Sequence, residues 1–294
     1  MSEIQFRAEL ERLAVAAYML AAVGAALRLR RDGLAAPPAA AGLLDQAVHQ
    51  AGVPALETLG PRETERFVAV IDFHLRHALE LFVNPSREPL WSHGDPDLLE
   101  AQGVMSRSVV PMITAAAASR PDLAATISDP GPFLDIGTGV GWIAIEAAHA
   151  WPAMRVVGID IHGLALEGAR RNVALAGLGE RVEIRDQDAL ALNERASYAL
   201  AWIPAPFFSD AALAKALAKV REALVPGGWL VCGLETPPSD AAARTLAALR
   251  LVRGGGSLRT PDQVVAAASA GGLVDIETVP SGPLALILAR RPFH

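Results

Sequence analysis

A single cysteine in 294 residues, Cys232, excludes an internal disulfide and any zinc site built from several cysteines, and it fits a reducing compartment. A basic surplus is missing too. Lys and Arg number 26 against 32 Asp and Glu, a net charge of −6, so no general grip on nucleic-acid phosphates is expected. Aromatic residues are scarce, at 5%. No group of His, Asp or Glu has metal-ligand spacing, so no metal is expected. The longest apolar stretch, 13–27, is bracketed by Arg12 and Arg28. It falls short of the roughly 18 residues of a spanning helix, is rich in alanine, and follows Glu3, Glu9 and Glu11 instead of a positive segment. It reads as a buried or partner-facing helix, with no membrane partner and a cytoplasmic location. What the chain does have is 52% hydrophobic residues, enough for a substantial core.

The two parts of the chain differ in texture. Residues 1–127 carry helical signals and almost no strand signals: a helix near 4–31, a Pro/Ala/Gly linker at 33–42, and a short helix near 43–51. A longer helix at 61–83 has Pro61 in its first turn, Glu63 and Glu65 near its start, and Asn84-Pro85 at its end. Another runs from about 95 to 120 with a bend at Pro111. From Pro132 onward, short apolar strands alternate with helical stretches, the pattern of a parallel sheet covered on both faces. Strands are expected at 132–136, 155–160, 181–185, 197–203, 228–234, 273–279 and 284–290. The last two are joined by Pro280-Ser-Gly-Pro283, too short for a crossover helix, and so form an antiparallel hairpin. Gly254-Gly-Gly256 reads as a flexible break. The expected organisation is α/β: a helical N-terminal lobe, 1–127, and a sheet domain, 128–294.

The stretch Phe133-Leu-Asp-Ile-Gly-Thr-Gly-Val-Gly-Trp142 runs from a buried strand through a glycine turn into a helix. Its glycines let a ligand approach main chain whose helix N–H groups are unpaired. Acidic residues then end successive strands, where open α/β sheets bind ligands: Asp135 before the turn, Asp160 after the second strand, Asp188 after the third. A carboxylate at the second strand's end suits ribose hydroxyls, and one after the third suits an adenine amine. A dinucleotide fingerprint would place its third glycine at 142, where Trp142 stands; here it falls at 141.

With Val225-Pro-Gly-Gly-Trp229 before the fifth strand, residues 130–292 resemble the class I S-adenosylmethionine-dependent methyltransferases, and more loosely their small-molecule O-methyltransferases. The resemblance implies a seven-stranded Rossmann-like sheet ending in an antiparallel hairpin, and S-adenosylmethionine as cofactor. It implies that Asp135, Gly137, Thr138, Gly139 and Gly141 hold the methionine end, that Asp160 takes the ribose, that Ile161 packs on adenine, and that Asp188 with Ala189 meets its edge. Family members that methylate amide or base nitrogens often carry Asn-Pro-Pro-Tyr or Asp-Pro-Pro-Tyr after the fourth strand. This chain has Ile203-Pro-Ala-Pro-Phe207, without that polar group. Trp202 and Phe207 are the expected apolar wall of an acceptor pocket, with Phe208 as readily in the core. The stretch 98–110 is similar to the helix preceding the catalytic domain of bacterial and plant-type O-methyltransferases, which implies that Met105 touches substrate and Arg107 lies near the cofactor's carboxylate.

The plant-type base, a His soon after the fourth strand, is absent from 203–212. His93 and Glu235 are the remaining candidates for a catalytic base; His74, His77 and His162 read as packed, solvated or cofactor-bordering groups. The expected activity is methyl transfer to a small, largely apolar or aromatic metabolite, at oxygen and without metal, by positioning of the reactants. Protein methylation, or a cofactor-binding regulatory protein without turnover, stands as the alternative. A homodimer through the N-terminal helices is the other expected partnership.

Overall fold

The computed structural model describes residues 2–90, 94–129, 131–282 and 284–294, and its contacts divide the chain into two compact units: 1–85 with 100–105, and 86–99 with 106–294.

The first unit is helical. Helix α1, Glu3–Asp32, starts on a reciprocal cap between Ser2 and Gln5 and stops at Gly33 in the left-handed region, φ 65°. Helix α2 spans Pro38–Gln50 and α3 spans Pro61–Val83. Pro38 sits at the first position of α2, where a missing N–H costs nothing, so the expected linker at 33–42 is shorter than its composition suggested. Val23 and Leu27 of α1 pack on Val68 and Ile71 of α3. The earlier turns of α1 stay open, with Ile4, Leu13 and Tyr18 exposed. By length and composition alone, α1 is long and apolar enough to cross a bilayer, with mean hydropathy 1.6 in an 18-residue window. The argument against a span from length therefore does not hold, because an 18-residue apolar window fits within α1.

The continuous helix expected over 95–120 is two, α4, Pro96–Ser106, and α5, Val109–Ala117, followed by α6, Pro121–Ser128. The break falls at 107–108, ahead of Pro111, which thereby sits in the first turn of α5 and removes no helix hydrogen bond. Helix α6 begins on Pro121 by the same logic. Both α5 and α6 pack on the sheet: Val110, Ile113 and Leu123 share a core with Phe133, Trp151 and Leu200. The compact units thus divide well before the expected 127/128 boundary.

The sheet has seven strands: β1, Phe133–Ile136; β2, Val156–Asp160; β3, Val182–Asp186; β4, Tyr198–Pro204; β5, Leu224–Glu235; β6, Val274–Ser281; β7, Leu284–Arg290. Their order is β3-β2-β1-β4-β5-β7-β6, with the first five parallel, β7 antiparallel to β5, and the expected hairpin β6–β7 at the edge. Helices α7, Trp142–Ala150; α8, Gly163–Leu175; α9, Asp210–Ala223; α10, Ala241–Arg253; and α11, Pro261–Ala270 complete the unit. Residues alternate between two cores. Leu134, Ile136, Ala201 and Ile203 face the α9 and α11 side, while Phe133, Leu200 and Val231 face α5, α6 and α7.

Gly233 of β5 makes room for its neighbour. A Cβ there would overlap the tip of the Trp202 indole, itself 3% exposed. Gly233→Val is expected to lower stability by roughly 3 kcal/mol or more through overpacking, read as a fall in the urea midpoint at constant slope. An unchanged midpoint would contradict the packing described.

Candidate functional site

The sheet's C-terminal edge gathers the residues picked out by the glycine turn. Three turn glycines adopt positive φ, with Gly139 at 56° and Gly141 at 88°. A Cβ at Gly139 would meet nothing within 4 Å, so this backbone borders open space. At Gly141 a Cβ would press on Ala169 of α8, so this glycine sets helix packing as well as the turn. Asn172 of α8 adds a support that no motif announced: it is buried and its Nδ2 donates to the Val140 carbonyl over 3.0 Å.

Asp160 is the latch of this edge. Its Oδ2 accepts the Gly139 N–H at 2.8 Å, and its Oδ1 accepts the N–H groups of Ile161 at 2.8 Å and His162 at 2.9 Å. Three of roughly four carboxylate acceptor positions are thereby filled from the backbone. Beside it Ile161 is 68% exposed, an uncovered aliphatic side chain at the rim. His162 caps α8, its Nδ1 accepting the Ala165 N–H, which accounts for a histidine at this position.

Asp135 lies beneath the turn, fully buried. Its Oδ2 accepts the Thr138 hydroxyl at 2.7 Å, while Oδ1 has no hydrogen-bond partner among the described residues. Burial pushes this carboxyl up to about 7; the Thr138 hydrogen bond opposes the shift, and the nearby Asp160 charge reinforces it. A buried acid with one oxygen unpartnered among the described residues, under an open glycine turn, has the form of a receptor for a cationic group. Asp188 lies beyond β3, where its Oδ1 accepts the Leu190 N–H at 2.8 Å and starts a 3-10 turn, Ala189–Ala191, with Ala189 buried.

On the acceptor side the structure departs from several expectations. Trp202, read as a pocket wall, is inside the core with Phe133, Leu200 and Val231. Strand alternation turns it toward the helices and glycine at 233 admits the ring; its Nε1 has no hydrogen-bond partner among the described residues. Phe207 ends the 3-10 turn Ala205–Phe207, half-buried, and Phe208 packs against the core. Glu235 pairs with Arg250 of α10 at 2.7 Å, so its carboxylate is already engaged. Arg107 binds Glu146 of α7 at 2.7 Å and stacks on Trp142, a placement that anchors α7. Met105 is half-buried near the end of α4. His74 and His77 pack edge-on around Phe73 of α3, the latter with 4.4 Å between ring centres. His93 lies outside the described residues. Among the described residues, no group of three or more His, Cys, Asp or Glu is placed to hold a metal ion.

Residues 133–228 fit the family model described as a methyltransferase domain. The release factor glutamine methyltransferase of Chlorobaculum tepidum is 41% identical over 66 residues, 22% of this chain and 22% of that protein, so the chain spans about a fifth of that relative. Among solved structures, an O-methyltransferase family protein from Burkholderia thailandensis superposes with a TM-score of 0.69 at 14% identity, over 99% of both chains. Human N-acetylserotonin methyltransferase, solved with SAM, gives 0.68 at 16% identity over 99% of both. The fold is that of the class I methyltransferases, helical N-terminal region included.

Proposed function

We propose that this chain, whose sheet unit carries a methyltransferase domain of the class I fold, is an S-adenosylmethionine-dependent methyltransferase acting on a small, largely apolar or aromatic acceptor at oxygen. The carrying observation is the edge of β1 and β2. It combines an open glycine turn, an unpartnered buried Asp135 oxygen, the Asp160 latch and the bare Ile161 side chain. These residues fit the parts of the cofactor. Asp135 receives the ammonium, the Gly137–Gly141 turn the methionine chain, Asp160 the ribose, Ile161 the adenine face, and Asp188 with Ala189 the adenine edge. Bound there, S-adenosylmethionine supplies an electrophilic methyl group on a sulfonium.

The chain's own contribution is binding, orientation and exclusion of water. The loop after β4 supports an apolar acceptor. Pro204 and Pro206 have no N–H, and Ile203, buried in the core, brings no polar side chain to the end of β4. This argues against the glutamine chemistry named for the Chlorobaculum relative. Cys232 beneath the loop is no nucleophile, since burial pushes its thiol up to about 12. Glu235, held by Arg250, is not the free base the reaction would call on, which favours acceptors whose oxygen ionises readily.

The test is transfer of labelled methyl from S-adenosylmethionine into three pools: phenols and aromatic acids, aromatic amines, and a glutamine-containing peptide. Incorporation chiefly into the phenols and acids is expected. Labelling of the peptide alone would replace this reading with protein methylation, and cofactor binding without incorporation into any pool would leave a regulatory binder.

A further inference from the structure

Fifty residues beyond the loop after β4, Arg259 is 5% exposed and spends every N–H on that loop, on Asp210 at the start of α9, or on its own segment. Nη1 donates to the Ala205 carbonyl at 2.7 Å and the Ser257 carbonyl at 3.4 Å. Nη2 donates to the Phe208 carbonyl at 2.6 Å and to Asp210 Oδ1 at 2.7 Å, and Nε reaches the same Oδ1 at 3.0 Å. A guanidinium has five N–H donors in a fixed fork, and here all five are used.

The strap around it does the same. The Ser257 N–H donates to the Pro206 carbonyl at 3.1 Å, and Ser257 Oγ donates to Asp210 Oδ1 at 3.3 Å. A Cβ at Gly256 would overlap the Pro206 carbonyl, so only glycine lets the two backbones meet. The expected flexible break at 254–256 is therefore fastened. Gly254 and Gly256 N–H groups close the end of α10, and the Leu90 N–H donates to the Arg253 carbonyl at 3.1 Å. Main-chain carbonyls of 205, 206 and 208 are thus all turned away into protein partners.

We propose that Arg259 is a positioning residue that fixes the loop 204–208 as the acceptor wall and keeps the polar backbone of that wall out of the acceptor's reach. The inference rests on the reading that this loop faces the acceptor. Its chemical consequence is selectivity: a wall whose carbonyls at 205, 206 and 208 are engaged withholds them from an N–H-bearing acceptor and favours a flat apolar one. Lysine at 259 keeps the charge opposite Asp210 but cannot span the carbonyls of Ala205 and Phe208 together.

The experiment compares wild type, Arg259→Lys and Asp210→Ala as full chains, by amide hydrogen exchange, by calorimetry with S-adenosylmethionine, and by turnover of 1-naphthol and 1-naphthylamine. In Arg259→Lys the amides of Ala205, Phe207 and Phe208 are expected to exchange at least about tenfold faster, with cofactor affinity within about twofold of wild type. The naphthol KM is expected to rise more than kcat falls, and naphthol preference over naphthylamine to narrow by about tenfold or more. Asp210→Ala, whose carboxylate is exposed and whose loss leaves the carbonyl contacts, is expected to do the same to a smaller degree. Unchanged exchange at these amides, or cofactor affinity falling in step with turnover, would overturn the proposal. Wild type that binds no cofactor would instead remove the proposed function, while the exchange result would still decide whether Arg259 fixes the loop.

Discussion

Asp160→Ala is expected to weaken S-adenosylmethionine binding at least about 100-fold and to lower stability by roughly 2–4 kcal/mol, since hydrogen bonds to a charged group contribute about 1.5–3 kcal/mol each. The carboxylate holds three N–H groups from two segments, Gly139 on the glycine turn and Ile161 with His162 at the start of α8. Removing it frees the turn from β2 and deletes the ribose acceptor in one change. Asp160→Asn separates the two effects. One carbonyl oxygen survives to serve either the turn or the Ile161 and His162 pair, so part of the stability returns while affinity stays low. Calorimetric titration and urea unfolding of both variants give the two numbers independently. Affinity within about threefold of wild type in Asp160→Ala would show that the edge of β2 does not hold the cofactor.

A second large effect is in pH. In the free protein, burial holds Asp135 protonated up to about 7, well above an ordinary aspartate. Folding therefore binds an extra proton between the ordinary value and about 7. The sign follows: this carboxyl's stabilisation is full below the ordinary aspartate range and is lost as pH rises through about 7, on the order of 4 kcal/mol in all. The cofactor's ammonium works the other way, because it pairs only with the carboxylate. Affinity for S-adenosylmethionine is expected to climb nearly tenfold per pH unit from 5 toward 7 and to level off above, with proton release on binding near pH 6. Asp135→Asn should flatten that climb and stop the protein from losing stability as pH rises over the same interval. A wild-type affinity flat from pH 5 to 8 would contradict the assignment of Asp135 to the ammonium.

Much of this edge was legible in the sequence because it is local. Glycines at 137, 139 and 141 and acids at strand ends each report their conformation within a few residues. So does the helix at 61–83, whose start and stop residues coincide with its observed ends. What escaped depends on distant partners. Trp202 looked like a pocket aromatic until strand pairing set it beside Gly233, whose missing side chain admits the ring. Glu235 looked free until α10 delivered Arg250. The first helix ends at Ser106, just before Arg107, whose partner Glu146 lies 39 residues on. Arg259 carries no local signal at all: an arginine after a glycine run reads as a solvated loop residue, and only the fold brings it to the carbonyls after β4.

The most direct test of the whole account is a calorimetric titration of the full chain with S-adenosylmethionine at pH 7.5. The account predicts saturable one-to-one binding with a Kd of about 1–100 μM, in the range of ordinary substrate constants. A folded chain showing no heat of binding and no thermal stabilisation at about 1 mM S-adenosylmethionine would contradict it.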